Sequence, residues 1–383
     1  MALFAGAAIS RDVPTETDDR QKVLTARIVE RLIKLQELSP KMKSFDANKD
    51  GKFDESEAKA YLIANPIRLE EQEPHADGIS AAARFSRPSA VAIDRNGNLY
   101  VADTDNHAIR MISKVGDVKT FAGKPGEPGS NDGSLLDARF NKPGGISVGE
   151  NGVIYVSDSG NRSIRKISVA GKVETVQLRP SGDGKEGHSS IKTINGIAAD
   201  KNGGILFADW DGNSLFKVDQ NGNAQRLPDS VHKFSGGVKD VARTEDGALY
   251  AVDHTSVVMI KGAEAKVILK HEQTPEQDRK FMALDVDSKG NVYVLQNCED
   301  IPDRILKVSP AGELAVVAGG GGKGYLYERY INARGEFARF ARPGGIAVAQ
   351  DGVIFVADTY NNAIRRITSD GAVTTLAGAS PKK

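Results

Sequence analysis

The feature that most constrains this chain is a unit that recurs six times between Pro88 and Gly378. The first copy reads AVAID (Ala90–Asp94), NGNLYVAD (Asn96–Asp103), NHAIRMI (Asn106–Ile112) and VKTFAG (Val118–Gly123). The second runs from Gly145 to Val176 and the third from Gly196 to Leu227. The fourth, Val238 to Leu269, is the most worn; the fifth covers Ala283 to Gly319 and the sixth Gly345 to Gly378. Internal repetition outranks every other signal, because missing it misreads the whole fold.

Within each copy four short apolar runs alternate with period two and favour β-branched residues, which is strand patterning. Asn-Gly or Asp-Gly pairs at Asn96-Gly97, Asn151-Gly152, Asn202-Gly203, Asp246-Gly247 and Asp351-Gly352 suit two-residue hairpins, since these residues tolerate positive φ. Four strands per unit, at a spacing of roughly 40 to 60 residues, is the pattern of a propeller blade. No helical period runs through this region, so a helical solenoid is excluded. The repeat resembles the NHL family. Its namesake tripeptide falls at Asn106-His107-Ala108, Asn161-Arg162-Ser163 and Asn361-Asn362-Ala363, and a shared link ends in Ala138-Arg139-Phe140 with Pro143-Gly144-Gly145, and again in Phe337 to Gly345. The resemblance implies a closed six-bladed β-propeller and is silent on activity, because propellers host unrelated functions.

With strands a to d antiparallel and a innermost, the a–b and c–d turns share one face of the disc, and the b–c turns and interblade links share the other. The second face holds the variable segments, where function concentrates on a rigid scaffold. Candidate ligand-binding residues there are His107, Arg162, Trp210, His254 and Tyr360. Trp210 reads equally as a binding platform or as a plug between blades. Asp103, Asp158, Asp209, Asp253 and Asp358 each close strand b and read as caps that accept local backbone N–H groups. Arg110, Arg165 and Arg365 recur on strand c and read as structural pairing from blade to blade.

Upstream, Asp46 to Glu57 fits a calcium loop. Asp46, Asn48 and Asp50 offer side-chain oxygens at positions 1, 3 and 5, and Gly51 permits the bend. Lys52 offers its carbonyl, Asp54 acts directly or through water, and Glu57 closes the shell at position 12. Calcium seeks about six to eight hard oxygens, and this spacing supplies them. Leu24, Ile28, Leu32 and Leu35 make an apolar helical stripe beside it, and Asn65-Pro66 stops the exit helix. The expected organisation is therefore a mainly β chain: residues 1–17 a disordered tail or leader remnant, 18–66 an α-helical EF-hand module, 67–80 a linker, and 81–383 a six-bladed NHL-type β-propeller.

Lys and Arg balance Asp and Glu at 51 each, which argues against a strongly basic nucleic-acid binder. The one cysteine, Cys298, cannot form an intrachain disulfide, and no apolar run approaches the roughly 20 residues of a membrane span. Two functions remain. One is a Ca2+-binding scaffold that presents a ligand or protein surface at its loop face, the ion ordering the N-terminal module. The other is a metal-assisted lyase or hydrolase at the channel mouth. The six histidines show no His-x-His or His-x₃-His spacing that would assemble a zinc site. The apolar start and a calcium site with no signalling role lean toward a secreted or periplasmic location.

Overall fold

The computed structural model describes Asp54 and residues 75–180, 191–200, 202–229, 231–270, 279–298, 302–321 and 330–378. The expected calcium loop apart from the exposed Asp54, and the helices and tail expected around it, lie outside these residues.

The described chain forms six sheets in sequence order, each built on four antiparallel strands with the first of the four innermost; a further two-residue strand lies on the outer edge of the first three sheets, parallel to its neighbour in the third. Blade one comprises Pro88–Ile93, Leu99–Asp103, Ala108–Ile112 and Asp117–Ala122. The innermost strands of the other blades are Pro143–Val148, Ile194–Ala199, Asp240–Arg243, Arg279–Val286 and Gly345–Val348. Each inner strand packs against the next, and blade six packs against blade one, so the ring closes. Every four-stranded blade comes from one contiguous stretch, and closure is by side-to-side packing. Val91, Leu99 and Val101 of blade one share a buried cluster with Ala347, Ala357 and Ile364 of blade six. The Thr359 hydroxyl donates to Pro88 O at 2.8 Å across the same seam.

The hairpin turns differ in type from the sequence expectation. Gly97 N donates to Asp94 O, Asp94 N donates to Asn98 O, and only the glycine has positive φ, at 80°. These are three-residue loops in which a left-handed glycine follows a type I turn, a geometry whose twist suits the flanking strands.

The interblade links also depart from expectation. Those leading into blades one, two and six return on the b–c face, but before that they run along the outer edge of the blade they enter. Gly133–Ser134 pairs antiparallel with Lys172 and Val173 of the outermost strand, and Gly78–Ile79 does the same in blade one against Asp117 and Val118. Residues 75–80, read from sequence as linker, are thus the outer wall of blade one. The reason is a buried arginine. In blades one, two and six the side chains of Arg110, Arg165 and Arg365 are completely buried. Arg165 Nη1 donates to Asp158 Oδ2 at 3.0 Å and to Arg139 O at 2.6 Å. Its Nη2 reaches Asn131 O at 2.8 Å and Asp132 Oδ1 at 2.7 Å. The guanidinium lies over Phe140, 5.1 Å from the ring centroid. Arg110 with Asp103, Asp77 and Phe85, and Arg365 with Asp358, Asn332 and Phe340, repeat this arrangement. The pairing runs from strand c to its own blade's link rather than from blade to blade.

The strand-b aspartates do cap backbone, at long range. Asp103 Oδ1 accepts Ser86 N at 2.7 Å, Asp158 Oδ1 accepts Asn141 N at 2.7 Å, and Asp358 Oδ1 accepts Ala341 N at 2.8 Å. Each carboxylate holds the link where it returns to the next inner strand.

Candidate functional site

A continuous axial cavity of about 1530 Å³, lined by the inner strands of all six blades, runs through the ring. Its b–c end carries Trp210, His254 and Tyr360, three of the five residues singled out from sequence, together with Lys239, Lys280 and Arg342. The other two candidates are elsewhere. His107 sits at φ 57° in the b–c turn of blade one, and its Nδ1 accepts the backbone N–H of Lys142 at 3.1 Å. Burial holds its pKa below 6.5. Its role is an interblade clasp. Asn362 Oδ1 accepts Arg87 N at 2.8 Å in the same way, Asn213 Oδ1 accepts Gly237 N at 2.8 Å, and Asp303 Oδ2 accepts Arg342 N at 2.6 Å. Arg162 shares the left-handed backbone of His107 but is exposed and does not line the cavity. His107 and His254, though both on b–c turns, are not brought together.

The clasped position leads into the inner strand and is basic in three blades, at Arg87, Lys142 and Arg342, and Lys280 holds the same register position in blade five. Arg87, Lys142 and Arg342 adopt φ of 49°, 51° and 43° immediately before a proline, so a side-chain acceptor on the neighbouring blade holds each cation in a sparsely populated conformation. Two stations of cation and aromatic ring result. At blades six and one, Tyr360 is half exposed, with the guanidinium carbons of Arg87 and Arg342 at 4.5 and 5.7 Å from its ring centroid. At blades three and four, Lys239 Nζ lies 3.1 Å from the centroid of Trp210, and His254 packs edge-on at 6.1 Å. Such contacts strengthen as water is excluded.

The indole fits because Gly236-Gly237 offers no side chain. A Cβ at Gly237, whose φ is 70°, would fall 2.1 Å from Cδ1 and 2.2 Å from Nε1 of Trp210. Trp210 therefore wedges between blades three and four, as its reading as a plug expects, while leaving 38% of its surface exposed. Lys239 is only 9% exposed; burial, with Lys280 nearby and against the pull of Asp211, lowers its pKa to about 8.

Farther in, two carboxylates missed from sequence face the channel from inner strands. Asp240 accepts Val241 N at 2.9 Å and Leu284 N of blade five at 3.2 Å. Asp285 accepts Val286 N at 2.8 Å and Val348 N of blade six at 2.8 Å. Burial outweighs these bonds and raises the two pKa values to about 7 and about 6. The signal was positional: in the strand register Asp240 occupies the place of Gly145, Gly196 and Gly345, and Lys239 that of Gly144 and Gly344. Among the described residues no group of three or more His, Cys, Asp or Glu side chains converges as metal ligands would.

A family model for the teneurin NHL domain matches residues 64–168 and 237–383. NHL repeat-containing protein 2 of Bos taurus is 37% identical over 103 residues, which is 26% of this chain and 14% of that protein. Teneurin-4 of Homo sapiens is 24% identical over 375 residues, 80% of this chain and 13% of that protein. The chain thus spans a small fraction of these relatives. Among solved structures, an auxiliary nutrient binding protein from Bacteroides thetaiotaomicron superposes with a TM-score of 0.55 at 14% identity, over 79% of this chain and 72% of that one. A virginiamycin B lyase from Staphylococcus aureus gives 0.50 at 14%, over 78% and 87%. At these identities the likeness is one of fold.

Proposed function

Since this chain belongs to the teneurin NHL domain family, we propose that it is a binding scaffold which takes a ligand or partner at the b–c mouth of its propeller, with calcium ordering the N-terminal module. One observation carries the first half. Two stations of cation stacked on aromatic ring, Lys239 with Trp210 and Arg342 with Tyr360, belong to opposite sides of the ring at one end of a single channel. Aromatic faces give contact area at low conformational cost, and clustered cations draw anionic groups toward the opening. A rim of this kind suits binding. A metal-assisted lyase or hydrolase would need three or more converging donors, and the described residues bring none together.

The test is thermal-shift screening of the full chain against small acids, neutral analogues and acidic peptides, repeated on Tyr360→Ala and on Arg95→Gln at the far end of the channel. The expected result is stabilisation by anionic members that Tyr360→Ala removes and Arg95→Gln keeps. Stabilisation by none, or equal loss in both variants, would overturn the reading.

The calcium half rests on the donor chemistry of residues 46–57. Asp46, Asn48, Asp50, Asp54 and Glu57 supply side-chain oxygens, Lys52 its carbonyl, and Gly51 the bend, which suits a hard divalent cation. When bound, the ion would join the two flanking segments through one coordination shell. Calorimetry should show one site, and proteolysis between residues 18 and 66 should accelerate on chelation. Equal cleavage with and without chelator would count against an ordering role.

A further inference from the structure

We infer that the corner of the channel mouth between blades three and four is a seat for a small organic carboxylate, its anionic group on the Lys239 ammonium and its apolar body against Trp210. The inference rests on the binding reading above and names the ligand class for one station of that mouth. Lys239 is more than nine-tenths buried and lines the cavity. Its Nζ sits over the indole, and among the described residues no carboxylate oxygen comes within 4.0 Å of it. Asp211 attracts it only from longer range, and Lys280 adds positive potential from blade five. A buried ammonium that lacks a counter-charge is costly, and that cost is relieved by an anion delivered from outside. One such ammonium suits one negative charge.

Backbone bonds fix the surroundings of this corner. Lys239 O accepts Gly196 N at 3.0 Å, fixing its backbone to blade three, and Phe281 N donates to His254 O at 3.1 Å, fixing the b–c turn of blade four to blade five. Gly237 clears the space that the indole edge fills. Ile197 and Met282 continue the lining with apolar surface for the body of a ligand.

Trp210 is the only tryptophan in the sequence, so its emission reports this corner alone. The full chain is titrated with benzoate, benzamide and inorganic phosphate. Benzoate should give a saturable change with a half-saturation concentration at least tenfold below that of benzamide. Lys239→Met should weaken benzoate at least tenfold, while Lys266→Gln on the outer strand should stay within threefold of the parent. If Lys239→Met fails to fold, the comparison of benzoate with benzamide still decides. Equal binding of benzoate and benzamide would overturn the carboxylate seat and leave the mouth a binding site. Saturation by phosphate alone would overturn it in favour of inorganic oxyanions. No response to any probe would overturn the seat, and the thermal-shift screen would then judge the mouth separately.

Discussion

Replacing Arg165 by Met should release the link between blades one and two and lower global stability by about 3–5 kcal/mol, the usual cost of removing one partner from a buried ion pair. The structure sets both the size and the location. Arg165 is wholly buried and makes four hydrogen bonds, to Asp158, Asp132 and the carbonyls of Asn131 and Arg139, besides its contact with Phe140. Its Nε is buried without an acceptor, so part of that gain is already offset in the parent. Methionine fills similar volume, and blades three, four and five carry Phe216, Val258 and Leu306 at the matching register, so the site tolerates apolar packing. What methionine cannot do is neutralise Asp158, which stays buried with only Asn141 N and the Asn161 amide as donors. Adding Asp158→Asn should therefore recover about 1–3 kcal/mol, a coupling expected of contacting residues. Denaturation followed by circular dichroism should show the single variant melting on the order of 6–10 °C lower. Hydrogen exchange should show the first loss of protection at residues 131–141. A loss under 1 kcal/mol, or a double variant no better than the single, would refute the view that this arginine pins the link through its charge.

Three further outcomes follow from the site. Gly237→Ala should displace the indole of Trp210, shifting its emission to the red and costing about 1–3 kcal/mol, since the left-handed φ and the close approach both oppose a Cβ. His107→Ala should lose the clasp to Lys142 N, about 0.5–1.5 kcal/mol, whereas His107→Asn should keep it as Asn362 does in blade six. The folded-state pKa of His107 lies below 6.5, so its proton is disfavoured by folding; stability falls as pH drops from about 6.5 toward that lower value, and the Asn variant should lack this contribution. Asp240 and Asp285 act oppositely. Their folded pKa values of about 7 and about 6 exceed the unfolded value near 3.8, so stability declines as pH rises through this range, and urea midpoints of Asp240→Asn should show a shallower decline between about pH 4 and 7.

The strands were legible because their period is local: alternating apolar residues between glycine turns require no knowledge of partners. The turn type was not, because Asn-Gly serves both two-residue and three-residue loops and the choice depends on strand twist. The strand-b aspartates were legible as caps, yet not their targets 17 residues upstream, since nothing in sequence shows that a link returns over the end of strand b. The bond His107 makes was hidden for a related reason. A histidine on a loop face invites a ligand role, while the left-handed backbone that turns its ring toward Lys142 N is set by a repeat in which Asn362 does the same work.

The channel residues were missed through a weakness in how repeats are read. The fourth unit departs most from the pattern, and departure from a pattern looks like erosion. In a closed ring the reverse holds at inner-strand positions. Glycine, alanine or serine recurs at those of blades one, two and six because inner strands crowd one another; a Cβ at Gly345 would lie 2.7 Å from Ala90 Cα, and one at Gly196 would lie 2.4 Å from Asp240 Cα. A charged side chain at such a position can point only into the channel, where it loses water without gaining a core to pack in, and random drift toward Lys239, Asp240 and Asp285 would be opposed at each step by that loss. Blades four and five nevertheless carry all three, beside the one tryptophan of the chain. The places where a repeat breaks its own small-residue rule at the axis are therefore the places to look for function, and in this sequence they lie on blades four and five, with Lys239 against Trp210 at the mouth and Asp240 and Asp285 farther in.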